Sequence, residues 1–212
     1  LHTTLFTNFE DDFGEFDNIV QISDSPIDRW EAKYKAFLLT PYVETLHLDA
    51  DTLIVDDISE LFDLLNRFDV ALPFSPWYIS RKPREVPVSF PEFAGGLIIW
   101  RNDWEMRKLW GRMYNRMRRH LPGCDEPALR EELYKSDIRF SVVPWEYTCV
   151  MYQPGYLFGK AKLIHGRSKE LKGFAEKINS IPGRKVWTGE RILHLDLSHK
   201  KTKGVIEEIP YT

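Results

Sequence analysis

The stretch Thr45-Leu46-His47-Leu48-Asp49-Ala50-Asp51-Thr52 constrains this chain more than any other. An apolar, strand-like run ends in two carboxylates spaced i, i+2. In extended backbone, residues two apart point to the same side. Asp49 and Asp51 are therefore aimed at one place, where an apolar strand breaks surface. Two carboxylates side by side repel each other, and a hard divalent cation such as Mg²⁺ or Mn²⁺ relieves that repulsion. A charged strand end solvated at a turn is the ordinary reason for a bare Asp-x-Asp, so the rest of the chain has to decide.

Around this run, strand-like and helix-like patterns alternate. Thr3–Thr7, Ile19–Ile22, Val70–Pro73, Gly95–Trp100, Phe140–Val143 and Ala161–Ile164 read as strands from their β-branched, aromatic and apolar content. Trp30, Tyr34, Phe37 and Leu38 recur at helical spacing, and Thr40-Pro41 stops that helix. Asp57–Leu65 reads as a short helix with acids in its first turn. Trp104–His120 reads as an amphipathic helix with an apolar stripe of Leu109, Trp110, Met113, Tyr114 and Met117. Its opposite face is basic: solvated, or an anionic partner's surface. Pro127–Lys135 and residues 170–180 are further helices. The segment Trp77–Pro91 is a long basic, proline-rich loop, the kind that shapes a site or moves. This alternation predicts an α/β fold, a central mixed sheet flanked by helices. Chemistry in that class sits at the carboxyl ends of strands, where Asp49 and Asp51 stand.

Bulk properties narrow the function classes. A chain of 212 residues with 43% hydrophobic and 29% charged residues is expected to form one domain over 1–212 with a real core. A formal net charge of −3 gives no footprint for nucleic acid. No apolar run has the length of a membrane span, and no signal-peptide pattern opens the chain. Cys124 and Cys149 match no zinc or redox spacing; the plain reading is a reduced, cytoplasmic protein, with one disulfide still open to the pair.

Two further features lie at strand ends. Phe93-Ala94-Gly95-Gly96 lacks side chains that would keep a ligand from the backbone, though a bulge or sharp bend would use glycines equally well. Ile164-His165-Gly166-Arg167 delivers a histidine, a glycine and an arginine together. Neutral imidazole suits Mn²⁺ as well as zinc, and guanidinium forks a phosphate with two bonds.

Taken in order, Lys35-Ala36, the Leu46–Thr52 run, Asp57-Ile58-Ser59-Glu60-Leu61-Phe62, Phe93–Trp100, Asp125-Glu126 and His165-Gly166 resemble the GT-A nucleotide-sugar glycosyltransferases. The likeness is to the glycogenin and galactosyltransferase branch, glycosyltransferase family 8, and runs over roughly residues 3 to 180. The resemblance implies a Rossmann-like GT-A fold and a metal-dependent transferase that moves a sugar from a nucleotide diphosphate, UDP by family default, to a hydroxyl of a glycan, protein or lipid. It implies Asp49, Asp51 and His165 as ligands of Mn²⁺ (or Mg²⁺). Thr7, Asn8, Lys35 (Lys33 as second choice), Ala50, Gly166, Arg167 and Lys169 would contact nucleotide or diphosphate, and Gly95 and Gly96 the sugar or acceptor.

The chain departs from that pattern in places. Ala94 stands where the family usually has Asn, Glu126 where it often has Gln, and Ser168-Lys169-Glu170 where it usually has Lys-Pro-Trp. The front end reads one strand-helix unit short. If transfer inverts the sugar, a base is needed near the acceptor, and Asp125 is the candidate with Glu126 behind it. If it retains, as the resemblance implies, Asp125 positions sugar or acceptor. Two other readings stand beside this one. A sugar-nucleotide-binding module without turnover is favoured by Ala94, Glu126 and the short front end. A haloacid-dehalogenase-like phosphatase also places Asp-x-Asp after an apolar strand, but needs Thr or Val two residues after the second Asp, where this chain has Leu53.

Overall fold

The computed structural model of the protein describes residues 1–9, 14–22, 29–75, 85–119, 125–166, 169–188, 191–195 and 206–210. In chain order the strands are β1 (Thr4–Thr7), β2 (Asn18–Gln21), β3 (Glu44–Leu48), β4 (Thr52–Ile54), β5 (Val70–Pro73), β6 (Leu97–Arg101), β7 (Phe140–Val143), β8 (Cys149–Val150), β9 (Gly155–Leu157), β10 (Leu163–His165), β11 (Lys185–Trp187), β12 (Arg191–Leu195) and β13 (Ile206–Pro210). The helices are α1 (Arg29–Leu39), α2 (Trp104–Arg118), α3 (Glu126–Tyr134) and α4 (Leu171–Ser180).

The expected α/β architecture is present, with mixed sheets flanked by helices. The central sheet has the order β3-β6-β5-β7. β6 runs antiparallel to both β3 and β5, and β5 is parallel to β7. Period-two alternation divides its residues between two cores. Val70, Leu72, Ile98 and Trp100 join Tyr34 and Phe37 of α1, the α2 stripe and Leu129 of α3 on one face. Ala71, Leu97 and Ile99, with Leu46 and Leu48, pack on the other against Leu61, Leu65 and Leu163. A third core joins α4 to β8, β10 and Trp187 of β11. The small sheet β4-β10-β8 carries the strand that ends at His165.

Several sequence expectations shift. The short helix expected over Asp57–Leu65 is a 3-10 helix over Ser59–Asn66. The chain's last part forms an antiparallel sheet of order β13-β12-β11-β9, where the sequence predicted no element. α2 ends at Arg118, and His120 lies outside the described residues. The helix starts on a built cap, since the Asp103 carboxylate accepts from Met106 N at 2.9 Å.

Much of the α2 basic face has anionic partners within the chain. Arg112 meets Glu132 at 2.6 Å, and Arg116 meets Glu131 and Glu132 of α3 at 2.9 Å each. Lys108 pairs with Glu105 at 3.0 Å and Arg118 with Glu31 at 3.5 Å. Cys149 is a buried free thiol, its ionisation pushed well up by burial, while Cys124 lies outside the described residues. Among the described residues, no helix is long and apolar enough to cross a membrane.

Candidate functional site

The candidate site forms where β3 and β10 end. The β3–β6 ladder extends one residue past the strand, with Asp49 N donating to Gly96 O at 3.0 Å. The chain then turns at Ala50-Asp51 before β4. The two acids are thus brought together by a turn and not by strand pleating. Thr52 Oγ1 holds the turn by donating to Asp49 O at 2.8 Å, and Gly166 N donates to Asp51 O at 2.9 Å. That last bond fixes β10 against the turn. One ligand atom each from Asp49, Asp51 and His165 lies within 4.8 Å of the others. His165 Nε2 is 3.0 Å from Asp51 Oδ1.

The glycines before β6 serve this arrangement. A Cβ on Gly96 would lie 2.5 Å from His165 Cε1, and one on Gly95 would lie 2.8 Å from Lys33 Nζ. Neither has positive φ, so what they supply is space, taken up by the protein's own side chains. Gly166 does the same for Met151, whose Cγ a Cβ would meet at 2.3 Å.

Lys33, not Lys35, reaches the acids. Lys33 stands three residues after Trp30 and four before Phe37, on the buried face of α1. Its ammonium, 6% exposed, lies 3.1 Å from Asp49 Oδ1 and 3.5 Å from Asp125 Oδ2. These are ion pairs without hydrogen-bond geometry. Burial works against the charged lysine, but Asp125 and Asp49 outweigh it and hold its pKa above the ordinary value. Lys35 instead donates to the carbonyl of Ile22.

His47 also reaches Asp49 Oδ1, at 2.9 Å from its Nε2. Burial alone would raise the Asp49 pKa. The hydrogen bond from His47 and the charge of Lys33 reverse that and hold the carboxyl well below the usual range. Burial pushes the His47 imidazole down.

Asp125 sits at the N-cap of α3 but makes no capping bond. Its side chain turns inward, 2% exposed, and accepts from Tyr34 OH at 2.8 Å as well as meeting Lys33. Glu126 lies beside it, with Ser75 Oγ 3.4 Å from its Oε2. Burial, then the neighbouring Asp125 and Glu92 carboxylates, push the Glu126 pKa up to about 7. Glu92 is itself buried and its pKa is raised by that burial. Arg130, the cation nearest Glu92 in its electrostatics, donates to Phe90 O and Pro87 O at 2.8 and 2.5 Å.

The remaining predicted residues stand apart from this cluster or at its rim. Thr7 closes β1, its hydroxyl accepting from Phe9 N at 3.0 Å, with Asn8 exposed just beyond. Ala50 is exposed between the acids and Lys169 is exposed before α4. Arg167 and residues 76–84 of the basic loop lie outside the described residues. Sequence reasoning passed over His47, Tyr34 and Glu92. His47 had a signal, since it stands two residues before Asp49 and shares its side of the strand.

The donor set fits a hard divalent cation. Two carboxylates and one imidazole suit Mn²⁺ or Mg²⁺, which keep positions for water and phosphate oxygens. The space kept clear at Gly96 accommodates the imidazole beside them.

No family model matches the chain. A stretch of 72 residues, 34% of this chain, is 38% identical to Glucose N-acetyltransferase 1 of Candida glabrata, and covers 14% of that protein. Among solved structures, the apo form of the glycosyltransferase GlyE of Streptococcus pneumoniae TIGR4 is similar over 65% of this chain and 34% of its own, with 15% identity and a TM-score of 0.42. The galactosyltransferase LgtC, crystallised with donor and acceptor sugar analogues, is similar over 82% of this chain and 80% of its own, with 12% identity and a TM-score of 0.49. Both of these structural neighbours are glycosyltransferases.

Proposed function

We propose that this chain is a glycosyltransferase domain that holds a nucleotide-diphosphate sugar against a divalent cation and passes the sugar to a hydroxyl acceptor. The observation that carries the reading is the approach of Asp49, Asp51 and His165 to within 4.8 Å of one another, from a β-turn and a separate strand end. A cation held there would supply Lewis-acid stabilisation to a departing diphosphate. Thr7, Asn8, Ala50, Gly166, Arg167 and Lys169 are proposed as nucleotide and diphosphate contacts, with UDP as the nucleotide.

The chain's own side chains then have separable tasks. Lys33 fixes Asp49 and Asp125 relative to each other, and its charge helps to keep Asp49 ionised. Asp125 has its Oδ2 engaged by Tyr34 and Lys33, which suits it to positioning sugar or acceptor better than to taking a proton. Glu126, with a pKa near neutrality, is the better placed to hold or give up a proton beside it. Asp125→Asn should therefore keep some turnover, while Glu126→Gln should change the pH profile.

Calorimetric titration with UDP and a panel of UDP-sugars, with and without Mn²⁺, on wild type and Asp51→Ala, tests the reading. Binding that requires both Mn²⁺ and Asp51 supports it. Equal binding without either refutes the cation site. Donor hydrolysis or transfer, with glucose among the acceptors because the curated relative's name concerns it, separates an enzyme from a module that only binds.

A further inference from the structure

We infer that His47 is a positioning residue that presents Asp49 to the cation through a single oxygen. The inference rests on the reading of Asp49, Asp51 and His165 as a cation site. His47 faces α1, in register with Ile98 of β6, and its ring packs edge-on against Phe37 at a centroid distance of 4.7 Å. An ionised carboxylate only accepts, so the 2.9 Å contact to Asp49 Oδ1 places the ring hydrogen on Nε2. Lys33 approaches the same oxygen at 3.1 Å.

The His47 hydrogen bond and the Lys33 charge both fall on Oδ1, which leaves Oδ2 as the oxygen free of both. The α1 side of Asp49 is thus a clamp, and the metal side is one atom wide. Such a carboxylate suits a small octahedral cation better than Ca²⁺, which takes carboxylates through one or both oxygens in larger, more flexible shells. Groups that hold a ligating carboxylate from behind are worth about 10–100-fold in metal affinity.

The experiment titrates Mn²⁺, and separately Ca²⁺, into the full chain and follows free Mn²⁺ by electron paramagnetic resonance and Ca²⁺ by calorimetry. Wild type is compared with His47→Phe, His47→Gln and Asp51→Ala. His47→Phe keeps an aromatic ring beside Phe37 and removes the donor; it should weaken Mn²⁺ by about 10–100-fold and narrow the preference for Mn²⁺ over Ca²⁺. His47→Gln returns an N–H at a similar reach and should recover most of the loss. Equal losses in both variants would make His47 a packing residue only and overturn the inference. Mn²⁺ binding lost in Asp51→Ala but intact in His47→Phe would also overturn it, and would leave the cation site standing. Unchanged binding in Asp51→Ala would overturn the cation site itself. Ring ¹⁵N chemical shifts of His47 in the wild type need no variant to fold: a hydrogen on Nε2 agrees with the inference, and one on Nδ1 alone refutes it.

Discussion

Gly96→Ala tests whether the glycines before β6 exist to seat the site. The new Cβ would lie 2.5 Å from His165 Cε1 and 2.6 Å from Nδ1, where ordinary contact begins at 3.4 Å, so the ring must withdraw by about 0.9 Å (3.4 less 2.5). Metal–ligand distances hold to within about 0.2 Å, so that withdrawal takes the imidazole out of ligand position. A ring can swing about its side-chain torsions, so the folding cost stays near the about 1–3 kcal/mol of ordinary overpacking. Misplacement by about an ångström can cost on the order of a hundredfold in function. We therefore expect Mn²⁺ affinity to fall by about tenfold to a hundredfold while the protein still melts cooperatively. Gly95→Ala is the matched control. Its Cβ meets Lys33 Nζ at 2.8 Å and Asp125 Oδ2 at 3.2 Å, not His165, so it should disturb the ion pairs more than the cation. Mn²⁺ titration followed by paramagnetic resonance, run beside a thermal melt, reads both quantities. A folded Gly96→Ala that binds Mn²⁺ as wild type does would refute the reasoning.

Lys33→Met leaves Asp49 and Asp125 without the ammonium between them and should cost about 3–5 kcal/mol, as removal of one member of a buried ion pair does; urea unfolding at pH 7 checks it, and a loss under about 1 kcal/mol would argue that water already reaches the pair. Glu126 has a folded-state pKa of about 7 against an ordinary 4.5, so the folded state binds the extra proton and stability falls as pH rises across that window. At about 1.4 kcal/mol per pH unit the fall is roughly 3 kcal/mol, and Glu126→Gln should flatten it in urea midpoints taken from pH 4.5 to 7.5. An unchanged slope in the variant would assign the pH dependence elsewhere. Arg116→Ala breaks two ion pairs between α2 and α3, and should lower stability by about 1 kcal/mol. Heparin retention of the wild type should be weak, because much of the α2 basic face is already neutralised; strong retention would contradict the self-pairing.

What the sequence displayed was local. Trp30, Tyr34 and Phe37 repeat at the helical period, and β5 and β6 are short, continuous apolar runs. Both patterns carried over into burial, because each depends only on near neighbours along the chain. The acid pair and His165 were legible for the same reason: each ends an apolar run. Lys33 stood second to Lys35 because Lys35 matches the resembled family's pattern best, although the spacing of Lys33 from Trp30 and Phe37 marks the buried stripe. His47 was taken as part of an apolar run, and only the α1 packing exposes its task. The link from Glu92 to Glu126 joins residues far apart in sequence, so no local pattern announces it. The sheet of β9, β11, β12 and β13 escaped because strands of three to five residues with interspersed charges show no period; Lys185, its Nζ donating to Gly159 O at 2.8 Å, is buried there against every compositional expectation.

The distribution of charge bears on the divalent cation proposed for the site. Counted at formal charge, Asp49, Asp51 and Asp125 carry three negatives, and Lys33 returns one positive. Lys33 is committed to Asp49 and Asp125, on the α1 side, and Asp51 is the most open of the three acids at 50% exposure. His47, with its pKa lowered by burial, adds no positive charge at neutral pH. Glu126, raised toward neutrality, withholds part of the further negative charge that an ordinary glutamate would bring. Of the residual two negatives, one stays with Asp49 and Asp125 beside Lys33 and the other stands at the Asp51 turn, 3.0 Å from the imidazole of His165. A singly charged ion leaves the cluster acidic and would repel a diphosphate. A doubly charged one, held there, would bring the cluster to neutrality.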